Sequence, residues 1–260
     1  MDTNSVFNSR FEYKYFVAPQ IVPLIRSFIT PFVRPDRFSA AATASPLYSI
    51  CSLYLDTEDL LTYRQSMCGE KNRFKIRIRT YSDDPSSPAF FEVKGRTNAI
   101  LHKKRLQVSR GQVEEMLRGG SYAWLQGAPG ALIRNFDFVW SHLTLAEAKP
   151  VIRIKYLREA YEPTGGEPVR ITFDTHLVYA PTLGNRLSHA AGPWTETPVE
   201  GTILEIKFTE RFPEWLWDLV HHFDLRQESI CKYVRSLGHA LNAGSPSSLA
   251  IAGMTVPPRR

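Results

Sequence analysis

In seven segments of this chain, charged and apolar residues alternate with a period of two, and most of the charged positions are Lys or Arg. Successive side chains of a β-strand point to opposite faces, so such a segment carries one charged and one apolar face. Arg10, Glu12 and Lys14 alternate with Phe11, Tyr13 and Tyr15. Arg73, Lys75, Arg77, Arg79 and Tyr81 alternate with Phe74, Ile76 and Ile78. Glu92, Lys94 and Arg96 stand against Phe91 and Val93, and Lys103 and Arg105 against Leu106 and Val108. Arg153 and Lys155 oppose Ile152 and Ile154. Arg170, Thr172 and Asp174 oppose Val169, Ile171 and Phe173, and Glu205 and Lys207 oppose Leu204, Ile206 and Phe208.

One charged strand face is ordinarily just solvated, as in any half-buried antiparallel sheet. Seven charged faces on which cations predominate in sum are another matter, because like charges on adjacent strands repel unless an anion lies among them. A closed barrel with the charged faces inward and the apolar faces under helices resolves the conflict. The pattern therefore predicts an α+β fold, an eight-stranded antiparallel β tunnel with helices packed around the outside and a polyanion within. Arg offers a planar fork that matches phosphate oxygens, and Lys adds a compact point charge. Arg10, Lys75, Lys103, Lys155, Lys207 and Tyr81 share these faces and are read as substrate-binding. A hard divalent cation takes one or two carboxylates together with phosphate oxygens and water, which makes Glu12, Glu92, Asp174 and Glu205 the candidate metal ligands.

Helical periodicity is expected from Pro19 to Phe32, from Glu58 to Met67 with Thr57 as N-cap, and from Gly111 to Leu145 with a break near Gly127–Gly130. Further helices are expected after Pro213 and over Glu228–Leu241, and loops over Arg34–Pro46 and Pro181–Pro198. No linker or repeat divides the chain, so residues 1–242 read as one domain and residues 243–260 as a disordered tail. The net charge of +6 admits anionic partners without choosing among them. The three cysteines, Cys51, Cys68 and Cys231, form no CxxC pair, which argues against a disulfide framework or a thiolate zinc site. No apolar run nears the roughly 20 residues that span a bilayer. A soluble, cytoplasmic protein with reduced thiols is the expectation. His221 and His222 read as surface or core residues, Trp215 and Trp217 as helix packing, and Trp124, Trp140 and Trp194 as core residues or a platform for an adenine.

The motifs carry a resemblance. Arg-Phe-Glu-Tyr-Lys-Tyr (Arg10–Tyr15), Ser-Leu-Tyr-Leu-Asp-Thr (Ser52–Thr57), Lys-Ile-Arg-Ile-Arg-Thr-Tyr (Lys75–Tyr81), Phe-Glu-Val-Lys (Phe91–Lys94), Arg-Ile-Thr-Phe-Asp (Arg170–Asp174), Leu-Glu-Ile-Lys (Leu204–Lys207) and Ser-Ile-Cys-Lys-Tyr (Ser229–Tyr233) occur in the order found in the VTC domain. This is the catalytic domain of the vacuolar transporter chaperone polyphosphate polymerases, within the CYTH-like triphosphate tunnel metalloenzymes. The resemblance covers about residues 9 to 240. It implies ATP and polyphosphate as substrates, Mn²⁺ or Mg²⁺ as cofactor, and transfer of the γ-phosphate of ATP to a growing polyphosphate chain. It also implies that Lys14, Arg77, Arg79, Lys94, Arg105, Arg153, Arg170 and Lys232 bind phosphate in the catalytic centre, with Glu205 as principal metal ligand. The phosphate-sensing domain and membrane segment of the yeast-type polymerases are not read here, so product translocation would call on a membrane-protein partner.

Two other functions compete. CYTH triphosphatases open with Glu-x-Glu-x-Lys, and Arg10 at the first of those positions favours the polymerase over hydrolysis of a tripolyphosphate. A non-catalytic polyphosphate-binding module would keep the cations but has no need of Glu205. Nucleic-acid binding is disfavoured, because the cations lie in strand alternation and not beside exposed stacking aromatics.

Overall fold

The computed structural model describes residues 10–41, 45–98, 100–165, 168–182, 184–190 and 192–243, apart from the side chains of residues 10, 100 and 101. The expectation that Arg10 binds substrate therefore falls on a side chain outside the description, and the expected tail lies outside it from residue 244 onward.

Ten strands alternate with seven helices among the described residues. In chain order they are β1 (Arg10–Val17), α1 (Val22–Ile29), β2 (Val33–Pro35), α2 (Arg37–Ala41), β3 (Tyr48–Asp56), α3 (Leu61–Met67), β4 (Arg73–Thr80), β5 (Ala89–Thr97) and β6 (Ile100–Val108). Then come α4 (Arg110–Arg118), α5 (Gly130–Leu145), β7 (Lys149–Pro163), β8 (Arg170–Pro181), β9 (Thr195–Glu196), β10 (Thr202–Thr209), α6 (Glu214–His222) and α7 (Lys232–Asn242). The strands pair in the order β1-β10-β8-β7-β3-β4-β5-β6, with β2 beside β7 and β9 beside β8. Pairing is antiparallel in β1–β10, β10–β8, β3–β4, β4–β5 and β5–β6. No helix among the described residues is long and apolar enough to cross a membrane.

The fold is the α+β, antiparallel arrangement that the alternation implies. It departs from a closed ring in one respect: the hydrogen-bonded path ends at β1 and β6. The outer edge of β1 is taken by the segment before α7. Tyr15 bridges Gln227, the Glu228 N–H donates to the Lys14 carbonyl, and the Lys14 ammonium donates to the Ile230 carbonyl.

The chain divides into two units, residues 1–48, 156–176 and 199–230, and residues 49–155, 177–198 and 231–260. In the first unit, the apolar faces of β1, β8 and β10 (Tyr15, Ile171, Phe173, Leu204, Ile206) pack under Ile25 and Ile29 of α1 and Leu216 and Leu219 of α6. In the second, Ile76, Ile78, Phe91, Val93 and Leu106 pack under Val113 and Met116 of α4 and Phe136, Val139 and Leu143 of α5. Each such side chain contributes about 1.5–3 kcal/mol on burial. This fixes strand register, because a slip of one residue would bring the charged set under the helices.

Local boundaries follow hydrogen bonding. Ser109 caps α4 in a reciprocal box with Gln112. The helix expected from Glu58 starts later, at Leu61, because Leu60 sits at φ 56 in the left-handed region. There Thr57 Oγ1 accepts from the Leu61 N–H, and the buried Asp56 carboxylate accepts from Thr62 and Tyr63. The stretch read as a loop from Arg34 to Pro46 contains β2 and α2. The cause is Asp36, whose Oδ1 accepts from the Phe38 and Ser39 N–H groups and starts a short helix.

Candidate functional site

In the second unit, strand register turns the predicted cations into rows. Arg77 of β4 lies directly opposite Glu92 of β5, which lies opposite Arg105 of β6. One pleat away on the same face, Lys75 stands opposite Lys94, and Lys94 opposite Lys103. The row with a carboxylate is tightly knit. Glu92 Oε2 accepts from Arg77 Nε and Nη2 at 2.8 and 2.6 Å, and Oε1 accepts from Arg105 Nε at 2.7 Å. Lys103 Nζ approaches Oε1 to 3.3 Å and Arg79 Nη1 approaches Oε2 to 3.9 Å. The Glu92 side chain is only 1% exposed, against 21% for Arg77, 39% for Arg105 and 53% for Lys103. Burial alone would push its carboxyl up, but Arg77, Arg79, Lys103 and Arg105 together hold it far below the usual carboxylate range.

Aromatic hydroxyls orient the same guanidinia. Arg77 Nη1 donates to the Tyr54 hydroxyl, and Arg105 Nη2 to Tyr81, both at 3.1 Å. Tyr54 stacks on Tyr233 with centroids 4.7 Å apart, and Tyr233 donates to the buried Asp56 at 2.5 Å. That lock fixes the start of α7, where Lys232 is the first residue. Beside it, Lys75 Nζ lies 3.1 Å from Cys231 Sγ. Lys94 is exposed.

Arg153 and Lys155 meet a different environment. Lys155 donates to the His189 carbonyl at 2.8 Å and Arg153 to the Ser188 carbonyl at 3.3 Å. Both cations also lie over the Trp194 ring, at 4.5 and 4.9 Å from its centroid. The 187–190 stretch is further held by Asp83, which accepts from the His189 and Ala190 N–H groups. Trp194, read from sequence as a core residue or an adenine platform, thus borders two predicted binders.

In the first unit, the charged face is balanced. Lys14 of β1 lies opposite Glu205 of β10, and Glu12 opposite Lys207. Glu205 faces Thr172 and Lys207 faces Arg170 on β8. Lys14 Nζ bridges the carboxylates, 2.9 Å from Glu12 and 3.8 Å from Glu205, while Lys207 also pairs with Glu205. Asp174 has both oxygens on the buried Arg158, at 2.6 and 2.7 Å. Arg170 donates to Asp36 at 2.7 Å.

The sequence pattern passed over several residues. Arg158 is out of phase with Arg153 and Lys155, so a period of two misses it. Asp36 lies in a stretch read as loop. Tyr54 had a signal, since it alternates with Leu53 and Leu55 opposite Arg77, but its polar end was overlooked.

The carboxylates divide by how they are held. Glu92 and Asp174 are clamped by guanidinium forks, and a dication there would have to displace charge-assisted hydrogen bonds, from several cations at Glu92 and from Arg158 at Asp174. Glu12 and Glu205 are paired with Lys ammoniums, which are single mobile charges on flexible stems. No group of three or more metal-ligating side chains occurs among the described residues. Two carboxylates completed by phosphate oxygens and water are nonetheless an ordinary Mg²⁺ or Mn²⁺ set, and Glu12 with Glu205 fit it.

The VTC domain family matches residues 9–240. No curated protein matches the chain. Among solved structures, a Bacillus halodurans protein described as a candidate adenylate cyclase shares 13% identity over 86% of this chain and 94% of its own, with a TM-score of 0.47. HpAC1 from Hippeastrum, described as a candidate adenylyl cyclase with a dominant triphosphatase activity, shares 14% identity over 92% and 99%, with a TM-score of 0.46. The PH1819 protein from Pyrococcus horikoshii shares 12% over 87% and 97%, with a TM-score of 0.42.

Proposed function

Because the chain belongs to the VTC domain family, we propose that it is an ATP-dependent polyphosphate polymerase. The observation that carries this reading is the second unit's charged face, where Arg77, Arg79, Lys103 and Arg105 share one buried carboxylate and Lys75 and Lys94 adjoin them. Such a surface is built for an extended anion with many oxygens.

In this reading, Arg77, Arg79, Lys94, Arg105, Arg153 and Lys232 hold phosphates, aided by Lys75, Lys103, Lys155 and Tyr81. In the first unit Lys14, Arg170 and Lys207 hold phosphates beside the metal ligands Glu205 and Glu12. Glu92 and Asp174 serve as guanidinium anchors. The terminal phosphate oxygen of the acceptor attacks the γ-phosphorus of ATP. The bond to the β,γ-bridging oxygen breaks, and ADP leaves with that electron pair. No protein nucleophile is required, since alignment and charge neutralisation lower the barrier. Arg forks fix the oxygens in place, and Lys side chains follow the charge as it shifts to the leaving ADP. When bound, the divalent ion supplies further neutralisation of the phosphate oxygens.

Incubation of the protein with ATP and Mn²⁺, with products sized by gel and followed by phosphorus NMR, tests the reading. Growing chains with stoichiometric ADP are expected. Free phosphate without chain growth would replace the polymerase with a triphosphatase, and binding without turnover would leave a binding module.

A further inference from the structure

We propose that Glu92 is a positioning residue, a built-in anion that holds Arg77, Arg79, Lys103 and Arg105 in place for incoming phosphates, and that it does not bind the metal. Its activity arm rests on the polymerase reading, whereas its binding arm does not.

Depth is the first reason. Glu92 lies beneath three of its partners, 1% exposed, while Arg77, Arg105 and Lys103 keep a fifth to a half of their side-chain surface open and Arg79, 7% exposed, is buried beside it. A phosphate chain therefore meets the outer edges of cations whose inner edges are already tied down. Register is the second reason. Arg77, Glu92 and Arg105 occupy directly opposed positions on three neighbouring strands. A neutral residue between the two arginines would leave guanidinia of like charge in adjacent rows, free to turn toward solvent. Geometry is the third. Each Glu92 oxygen receives one guanidinium, through Arg77 Nε and Nη2 on one side and Arg105 Nε and Nη2 on the other. Tyr54 and Tyr81 then fix the rotation of each fork. Four cations within 4 Å of one carboxylate also repel a dication, whereas the ion pairs of Glu12 and Glu205 run to the ammoniums of Lys14 and Lys207.

Preorganised charge accelerates a reaction more than it tightens binding, because it need not reorganise as the transition state forms. Removing Glu92 therefore separates the two effects. Glu92→Gln should lower kcat about 10- to 100-fold by disordering the guanidinia. It should also tighten metal-free binding of tripolyphosphate at low ionic strength by about 2- to 5-fold, since one compensating negative charge is gone. The Mn²⁺ concentration for half-maximal turnover should stay within about twofold, and Glu92→Asp should recover part of kcat.

The experiment is calorimetry with tripolyphosphate, without metal, at two salt concentrations, alongside Mn²⁺ titration of ATP turnover. A tenfold rise in the Mn²⁺ requirement would make Glu92 a metal ligand and overturn the proposal. Unchanged kcat and unchanged tripolyphosphate affinity with only a lower melting temperature would overturn it too. Should Glu92→Gln fail to fold, Glu92→Asp carries the test, with reduced kcat at an unchanged Mn²⁺ requirement expected. If the wild-type protein forms no polymer, the polymerase reading fails, while the tripolyphosphate titration still decides whether Glu92 acts as the internal anion.

Discussion

The two charged faces of this molecule are made from the same residue types in different proportions. In the first unit, Lys14 opposes Glu205 and Glu12 opposes Lys207, so cation and carboxylate alternate both along and across β1 and β10. In the second, one carboxylate serves Arg77, Arg79, Lys103 and Arg105, and in the neighbouring row Lys94 stands opposite both Lys75 and Lys103. A balanced face gains nothing from a further anion unless a cation comes with it, which is the requirement of a metal–phosphate complex. A face in excess of positive charge is completed by a bare polyanion. If the proposed function holds, charge ratio, more than the presence of any one residue, separates the metal subsite from the phosphate subsite.

The largest effect that can break this contrast is expected from Glu205→Gln. If the first unit's acids hold the metal, turnover should fall by about 10³-fold or more, because the charge stabilisation of the transferred phosphoryl group is lost. Mn²⁺ binding followed by electron paramagnetic resonance should weaken in parallel, while metal-free tripolyphosphate binding is not weakened. Retained turnover would move the metal away from Glu205 and dissolve the division. Arg77→Ala is the complementary change and the next in size. It should weaken metal-free tripolyphosphate binding about 10- to 100-fold, as loss of a charge-assisted fork does, and leave Mn²⁺ binding intact. A tripolyphosphate affinity unmoved by that substitution would take Arg77 out of the phosphate subsite.

Much of this arrangement is legible in the chain. The alternation of Arg73, Lys75, Arg77 and Arg79 with Phe74, Ile76 and Ile78 gives β4 and its two faces, since Ile76 and Ile78 are buried in the core. Pairing is not legible, because register depends on contacts between distant residues and not on local period. On the pattern alone, Arg77 reads as a member of a repulsive row whose removal would stabilise the protein. Its bonds to Glu92 reverse that expectation, because removing Arg77 leaves a buried carboxylate with less compensation. Arg158 and Asp36 escaped for a related reason. Each is defined by a partner, Asp174 and Arg170, reached only through tertiary structure.

The smallest effects sharpen the contrast most, because they should differ in sign between the faces. Lys94 stands between two lysines in directly opposed positions, and each such like-charge pair costs about 0.2–1 kcal/mol. Lys94→Gln should therefore raise the melting temperature by about 1–2 °C while weakening tripolyphosphate about 3-fold. Lys207 stands instead between Glu12 and Arg170 and pairs with Glu205. Lys207→Gln removes attraction along with repulsion, so the melting temperature should stay level or fall slightly. Mn²⁺ affinity should rise about 2- to 3-fold, because Glu205 loses a competing cation. Thermal melts and Mn²⁺ titrations of the two variants, at the same ionic strength, decide the matter. If both substitutions stabilise the protein equally and neither alters Mn²⁺ affinity, the two faces are electrostatically alike and their division of labour is not set by charge ratio.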